Sequence, residues 1–246
     1  MNKGVEILRA LEKYYNNPKT KEEFDEQFKP YNPQKPYTLS DHIRCMILAM
    51  LSANRPWGPI EAHLKELDEI FFHYDAKKLK AADPEELASK VKAIRCGNRN
   101  ILKQMQALKH NIEFLEKIQK EHGSIDEYYR SMTKYKLVTL LNVNFKQLGA
   151  TLISEYLPGV GIDLPKPDVH IRRFLGKERL GFSKYSPARC EDCYSIISEI
   201  AKESGEHERY IDYLFWAYCA VDREHICSSE PDCSRCIIKQ FCNYGK

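Results

Sequence analysis

Apolar residues recur along most of this chain with the period of an amphipathic α-helix. Residues 40–51 (SDHIRCMILAML) are nearly all apolar behind an initial serine, which predicts a buried helix with a serine N-cap. Residues 98–121 keep the helical spacing, and Gly123 follows as a stop signal. Runs with strand-like alternation are scarce, so the pattern predicts an all-α fold.

Caps, prolines and glycines bound the remaining predicted helices. Asp83-Pro84 indicates a helix start, and Gly97 indicates where that helix ends. Residues 157–167 contain three prolines and two glycines, which favours a chain reversal or an inter-lobe loop. Further helices are predicted at the N-terminus and at residues 60–72, 125–131, 134–141, 146–156, 169–175, 190–204 and 208–221.

Composition and charge leave the class of partner open. A chain of 246 residues with 43% hydrophobic and 30% charged residues is typical of one large globular domain or two small ones. The net charge of +3 neither requires nor excludes nucleic acid, because binding depends on a local basic surface. No run is long or apolar enough for a bilayer, and the N-terminus is not typical of a signal peptide. We therefore expect a cytoplasmic, nucleoid-associated protein without a membrane partner.

Four of the nine cysteines lie in the last twenty residues, as Cys227-x5-Cys233-x2-Cys236-x5-Cys242. Each thiolate can supply one ligand, and four ligands complete one cubane cluster or one zinc ion. The spacing by itself leaves iron–sulfur and zinc open, although zinc sites usually have two C-x2-4-C pairs and this box has one. Cys190 and Cys193 form another pair, which is more typical of partly buried helix cysteines than of a metal site.

Together with this cysteine box, residues 140–174 resemble the helix-hairpin-helix DNA glycosylase superfamily, in particular its endonuclease III-like branch. That family has a hairpin of the form L-P-G-V-G-x-K between two helices. The hairpin is followed by V-D-T/V-H-I-x-R at a helix start, and by a cluster box near the C-terminus. Residues 168–172 (DVHIR) match the second motif, and the resemblance extends over roughly residues 38–244.

Two segments compete for the hairpin. Residues 157–161 (LPGVG) match its letters, but only six residues separate Gly161 from Asp168 and two of these are prolines, so the second helix would not fit. We place the hairpin at residues 140–146 (LLNVNFK), where Asn142 and Asn144 replace the glycines, because asparagine tolerates positive φ. Lys146 then takes the position of the family's lysine, whereas a shift of one residue would put Gln147 there.

The resemblance implies a role for each matched residue. A carboxylate stabilises the positive charge that forms on the sugar as the N-glycosidic bond breaks, and a neutral amine can trap the sugar as a Schiff base. Hairpin amides bind a DNA phosphate, and a residue of the L-L-S-A-Q motif, here at residues 50–54, fills the hole left by a flipped base. The implied catalytic residues are Asp168 and Lys146, and the implied DNA-binding residues are Asn142, Val143, Asn144, Asn54, Arg55, His170 and Arg172.

The resemblance also implies two helical lobes that flank a DNA cleft. Residues 38–160 would form a six-helix barrel with the hairpin, and residues 1–37 and 161–246 a lobe that holds a [4Fe–4S] cluster on Cys227, Cys233, Cys236 and Cys242. The expected function is that of a monomeric base-excision repair glycosylase acting on damaged double-stranded DNA, with AP lyase activity through Lys146. Two alternatives remain: a monofunctional glycosylase that uses Asp168 and water, and a non-catalytic DNA-binding protein with a four-cysteine zinc site.

Overall fold

The regular structure of the described chain is helical throughout. The computed structural model describes residues 2–15, 36–221 and 223–244, and it contains no strand within these ranges. The predicted all-α fold class is therefore confirmed for the described residues. The α-helices are α1 (Lys3–Tyr14), α2 (Leu39–Leu51), α3 (Gly58–Glu61), α4 (Leu64–Ile70), α5 (Ala76–Ala81), α6 (Pro84–Ala93), α7 (Ile101–His122), α8 (Ile125–Arg130), α9 (Lys134–Asn144), α10 (Ala150–Gly159), α11 (Val169–Leu175), α12 (Cys190–Ser204) and α13 (Glu208–Cys219); Phe72–Tyr74 and Lys239–Phe241 are short 3-10 helices.

The described residues divide into two compact units. The terminal unit contains residues 2–15 and 163–244, and the central unit contains residues 36–162. We predicted lobe boundaries after residues 37 and 160; residues 16–35 of the N-terminal piece lie outside the described ranges. No described helix is both long and apolar enough to cross a membrane.

Helices with strong local caps begin and end where the sequence predicts. Asp83 accepts a hydrogen bond from the Glu85 amide at the start of α6, and Gly123, at φ 78°, ends α7. The predicted bounds of α11 and α12 are confirmed. The predicted serine cap of α2 is wrong, because the N-cap is Thr38, two residues earlier, which forms a reciprocal capping box with Asp41.

The continuous helix predicted for residues 60–72 is also wrong. The chain forms α3, α4 and a short left-handed turn, in which Phe72, His73 and Tyr74 have φ of 52°, 50° and 64°. The turn brings Tyr74 beside Phe71 in the core, with their ring centroids 6.2 Å apart. Burial of both rings therefore takes precedence over the helical spacing of the sequence.

Helix α13 organises the core of the terminal unit. It packs against α1, α11 and α12. Ile211, Phe215 and Tyr218 on α13 are fully buried, and the Phe215 ring makes an edge contact with Phe174 of α11 at 5.2 Å. Burial of aromatic and aliphatic side chains of this size is the main stabilising contribution to such a core.

A buried polar network joins α2, α8 and α10 in the central unit. The fully buried His42 places Nδ1 2.6 Å from the Tyr156 hydroxyl and Nε2 2.9 Å from Oδ1 of Asp126. The other carboxylate oxygen of Asp126 accepts the Tyr37 amide at 2.7 Å. Because each of these buried groups has a partner, the network favours one arrangement of the three helices.

Gly159 lets the end of α10 approach α2. Residues 157–159 form the last turn of α10, so the rejection of the LPGVG segment as the hairpin is confirmed. A side chain at position 159 would meet Cys45 of α2. This glycine therefore serves helix packing, as a small residue at a close contact between helices.

Gly159→Ala should destabilise the central unit, because the added Cβ would lie 2.8 Å from Sγ and 3.2 Å from Cβ of Cys45. Overpacking of this kind costs about 1–3 kcal/mol, which urea unfolding would measure as a lower free energy of unfolding. Gly58→Ala is the matched control, since a Cβ there meets nothing within 4 Å. Equal stability of the two variants would contradict the packing role of Gly159.

Candidate functional site

The structure places a helical hairpin five residues beyond the predicted one. Helices α9 and α10 are joined by residues 145–149. Asn142, Val143 and Asn144, which were predicted to form the turn, lie in the last turn of α9, and the side chain of Asn144 donates to the Leu140 carbonyl at 2.8 Å. The left-handed residue of the turn is Gln147, at φ 62°.

Burial of two apolar side chains explains the shift. Phe145 is 5% exposed and Leu148 is 3% exposed, and the Phe145 ring contacts Phe114 and Tyr156. Extending α9 by three residues beyond Leu141 brings Phe145 into this core, whereas Val143 remains 77% exposed. The preference of asparagine for positive φ is a smaller effect than this burial.

Helix α7 holds the hairpin turn in place. The buried Asn111 donates from Nδ2 to the Lys146 carbonyl at 3.0 Å, and its Oδ1 accepts the Lys146 amide at 2.8 Å. The neighbouring His110 places Nε2 2.9 Å from the Asn144 carbonyl. One side chain thus satisfies both backbone groups of Lys146, while the Lys146 side chain is exposed.

The start of α10 can receive an anion. Its N-cap is Gly149, and no side chain caps the helix among the described residues. The first amides of an α-helix have no partner within the helix, and the helix dipole favours negative charge at this end. The predicted phosphate-binding role therefore fits the amides that follow Gly149.

Aligning the N-cap Gly149 with the second glycine of the resembled family's motif defines one register for the comparison. Gln147, Leu148 and Gly149 take the positions of G-V-G, with the left-handed residue at the first glycine and the N-cap at the second. Two residues further on, where the motif has lysine, this chain has Thr151, which is half-buried. The catalytic role of Lys146 stays a prediction, but the residue precedes the motif position by five.

Asp168 lies in the terminal unit as the N-cap of α11. Its Oδ1 accepts the amides of His170 at 2.8 Å and Ile171 at 3.0 Å, and the residue is half-buried. Arg172, one turn further along α11, donates from Nε to the Ala188 carbonyl at 2.8 Å. The carboxylate is thus fixed at a helix start, while part of the Arg172 side chain is bound within the fold. The DNA contacts predicted for His170 and Arg172 stay predictions.

The irregular segment before Asp168, residues 163–168, is attached to α13 by two carboxylates that the sequence reasoning missed. Asp163 accepts the amides of Glu208 and Arg209, each at 3.0 Å. Asp212 accepts the Lys166 amide at 3.1 Å, and its other oxygen accepts Nη1 of Arg209 at 2.9 Å. The available signal was an aspartate inside the otherwise apolar run of residues 210–219 (YIDYLFWAYC).

Burial raises the pKa of Asp212 to about 7, and the negative charge of Asp168 also raises it, whereas Arg209 and the Lys166 amide lower it. Asp212 is 3% exposed. Burial likewise raises the pKa of the Cys193 thiol on α12, and the charge of Asp212 contributes to that increase. Desolvation of the ionised form is the dominant effect on both groups.

Asp212 should make the stability of the protein fall as the pH rises. Its pKa is raised from 3.8 to about 7 on folding, so the proton stabilises the folded state fully below about pH 4, and this stability is lost as the pH rises through about 7. Relative to Asp212→Asn, which cannot ionise, the wild type should lose about 2–4 kcal/mol between pH 4 and pH 8, at about 1.4 kcal/mol per pKa unit. Urea unfolding across this pH range measures the difference, and parallel curves for the two proteins would contradict the assignment.

Asn54 and Arg55 line an open pocket in the central unit. Asn54 is exposed at φ 55°, and the pocket of about 410 Å³ is also lined by Asn98 and Arg99. Arg55 donates from Nη2 to the Arg95 carbonyl at 2.6 Å, but its buried Nε and Nη1 have no hydrogen-bond partner among the described residues. The pocket is thus lined by asparagine amides and arginine side chains, which are groups of the kind that donate hydrogen bonds to a base edge or a phosphate.

All four cysteines of the C-terminal box line one pocket in the terminal unit, together with Arg179 and Tyr244. Arg179 is 6% exposed, donates to the carbonyls of Ser228 and Ser229, and lies 3.8 Å above the Tyr244 ring centroid. Its Nη1 finds no hydrogen-bond partner in the described part of the chain. Among the described residues, no group of three or more histidine, cysteine or acidic side chains is arranged to hold a single metal ion.

The most buried cysteine of the box, Cys227, lies in a positive environment. A hydrogen bond from the Cys219 thiol lowers the pKa of Cys227, and the charges of Arg179 and Arg173 lower it further against the effect of burial. Arg173, on α11, donates to the Cys227 carbonyl at 3.3 Å. This donor set fits a thiolate-bound group of negative charge, such as a four-cysteine cluster, which the two arginines would partly neutralise.

The fold is shared with solved structures of DNA base-excision enzymes. The 8-oxoguanine DNA glycosylase of Methanocaldococcus jannaschii aligns with a TM-score of 0.65 and 18% identity, over 88% of this chain and 94% of that chain. The 8-oxoguanine glycosylase/lyase of the same organism, in complex with a 15mer DNA containing 8-oxoguanine, gives 0.62 and 17%, over 88% and 98%. The 8-oxoguanine DNA glycosylase of Thermotoga maritima gives 0.63 and 19%, over 89% and 98%.

At these identities the likeness shows a common fold. No protein-family model matches the chain, and no curated protein sequence is significantly similar to it. The assignment of an activity therefore depends on the arrangement of the chain's own residues.

Proposed function

We propose that this protein is a DNA glycosylase of the helix-hairpin-helix type, which flips a damaged base out of double-stranded DNA and breaks its N-glycosidic bond. The observation that carries the proposal is the order of two features: a helical hairpin at residues 134–159, with an uncapped second helix, and then Asp168 at the start of α11. The fold shared with three structures of 8-oxoguanine glycosylases from two organisms supports it, and makes 8-oxoguanine the first substrate to test.

Each feature has a chemical role in this reaction. The amides at the start of α10 bind a phosphate and fix the register of the DNA backbone. Asn54 and Arg55 occupy the space that the flipped base leaves, and their pocket offers hydrogen-bond donors to the opposite base. As the glycosidic bond breaks, the carboxylate of Asp168 stabilises the positive charge that forms on the sugar.

The register of the hairpin favours the monofunctional route over the lyase route. A Schiff base requires an amine at the reacting carbon, and the motif position of the family's lysine is Thr151 here. Water, activated beside Asp168, then completes the reaction and leaves an abasic site. AP lyase activity through Lys146 remains the second candidate, since Lys146 is exposed in the same turn.

The four-cysteine box supports a [4Fe–4S] cluster in the terminal unit, held by Cys227, Cys233, Cys236 and Cys242. This cluster, and with it a place in the endonuclease III-like branch, has no support from the three related structures and depends on the donor set of this chain. Four cysteine ligands leave no open coordination position, so the cluster would serve structure and DNA binding.

Incubation of the protein with a panel of duplexes, each containing one damaged base, should release a free base, with 8-oxoguanine as the first lesion. Asp168→Asn should lower the single-turnover rate by on the order of 10²-fold, because a charge-stabilising group is lost. Asparagine is also a good N-cap, so the variant should keep the stability of α11. Binding to DNA without release of any base would contradict the proposal and support the non-catalytic alternative.

Borohydride separates the two routes in the same assay. The wild type should form no covalent adduct with the DNA from which it releases the base, and Thr151→Lys should form one if the register is correct. An adduct formed by the wild type and abolished in Lys146→Ala would instead establish the lyase route.

Protein purified without oxygen should show the visible absorbance of an iron–sulfur chromophore, with iron and acid-labile sulfide in equal amounts. Cys236→Ser should lose both. The matched control is Cys190→Ser, since Cys190 is a half-buried cysteine of α12 outside the box. Zinc in place of iron would contradict the cluster and support the alternative of a four-cysteine zinc site.

A further inference from the structure

Asp212 is a buried carboxylate in an apolar surrounding. Its neighbours along α13, Ile211, Tyr213 and Leu214, are buried, and Asp212 itself is 3% exposed. Removing a carboxylate from water is costly unless it is paired and hydrogen-bonded. The two partners of Asp212, Arg209 and the Lys166 amide, therefore indicate what the residue does.

Lys166 connects Asp212 to Asp168 through its backbone. Its amide donates to Oδ1 of Asp212 at 3.1 Å, and its carbonyl accepts the amide of Asp168 at 2.7 Å. Because Pro165 and Pro167 have no N–H group, the Lys166 amide is the one backbone donor in the three residues before Asp168. A single chain of hydrogen bonds thus runs from α13 to the backbone of Asp168.

This connection acts on a segment that has no helix to hold it. Residues 163–168 are irregular up to the start of α11. Asp163 attaches the beginning of the segment to α13, and Asp212 attaches its end, next to Asp168. A carboxylate that acts in a transition state has to be held in position, and displacement by about 1 Å is enough to reduce the rate.

We propose that Asp212 is a positioning residue for Asp168, which sets the place of its carboxylate by holding the Lys166 backbone against α13. The expected effect of Asp212 on the excision rate rests on the proposed glycosylase reaction. Its expected effect on the position of the Lys166 backbone does not. Arg209 binds the second oxygen of Asp212 and keeps the first directed at Lys166.

Three variants test this role. Asp212→Ala removes the acceptor for the Lys166 amide, while Asp212→Asn retains an acceptor oxygen without the charge. Asp163→Ala is the matched control, because it also removes hydrogen bonds between the same segment and α13, but five residues before Asp168.

Single-turnover excision at saturating protein and the affinity for lesion DNA are measured for each variant. Asp212→Ala should slow excision by about 10²-fold, because a shift of the Asp168 carboxylate by about 1 Å is enough to reduce the rate to this extent. The affinity for DNA should not fall. Asp212→Asn should retain the rate, and Asp163→Ala should retain it even where its thermal stability falls. Equal slowing by Asp163→Ala and Asp212→Ala, or no slowing by Asp212→Ala, would overturn the proposal.

Amide hydrogen exchange gives a result that is independent of activity. The Lys166 amide should be protected in the wild type and in Asp212→Asn, and should exchange faster in Asp212→Ala. An unprotected Lys166 amide in the wild type would overturn the proposal, whether or not the alanine variant folds. If the exchange behaves as expected but the wild type excises no base, the proposed function fails and the positioning of the Lys166–Asp168 backbone stands.

Discussion

The hairpin turn and the segment before Asp168 depend on the same constraint: backbone amides and carbonyls in irregular segments require hydrogen-bond partners. Helices satisfy their own groups, but the hairpin turn and the segment before Asp168 cannot. Buried side chains of neighbouring helices supply the partners, Asn111 for Lys146 and Asp212 for Lys166. Asn111 and Asp212 are polar side chains that are costly to bury, and each fixes the backbone of one residue. The first of these residues precedes the amides at the start of α10, and the second precedes Asp168, which are the groups proposed to act on DNA.

The two units use this constraint in different ways. In the central unit Asn111 is neutral and makes two bonds to one residue, so the turn is fixed without a change in charge. In the terminal unit the fixing group is a carboxylate whose pKa is raised by burial and by Asp168. Asn111, which holds the hairpin turn, has no titratable group. Asp212, which holds the segment before Asp168, is titratable.

The helical hairpin shows that a match in letters and the position of a turn are separate matters. Residues 157–161 match the family's glycines because Gly159 is needed at a helix contact and Gly161 has a left-handed φ of 75°. The turn between α9 and α10 instead has left-handed Gln147, followed by Gly149 as the N-cap of α10. Gln147 has a left-handed φ that is more usual for glycine. Burial of Phe145 and Leu148, together with the hydrogen bonds of Asn111 to Lys146, offsets the cost of this conformation.

The sequence by itself determined the helical fold class, the bounds of α11 and α12, and Asp168 as a helix cap, because each follows from periodicity or from contacts within a few residues. It also grouped the four C-terminal cysteines. Only the tertiary structure decided where the chain turns between α9 and α10, and that Asp212 accepts the Lys166 amide in the segment before Asp168. These features depend on side chains 35 to 46 positions apart in the chain, whose contacts no local pattern encodes.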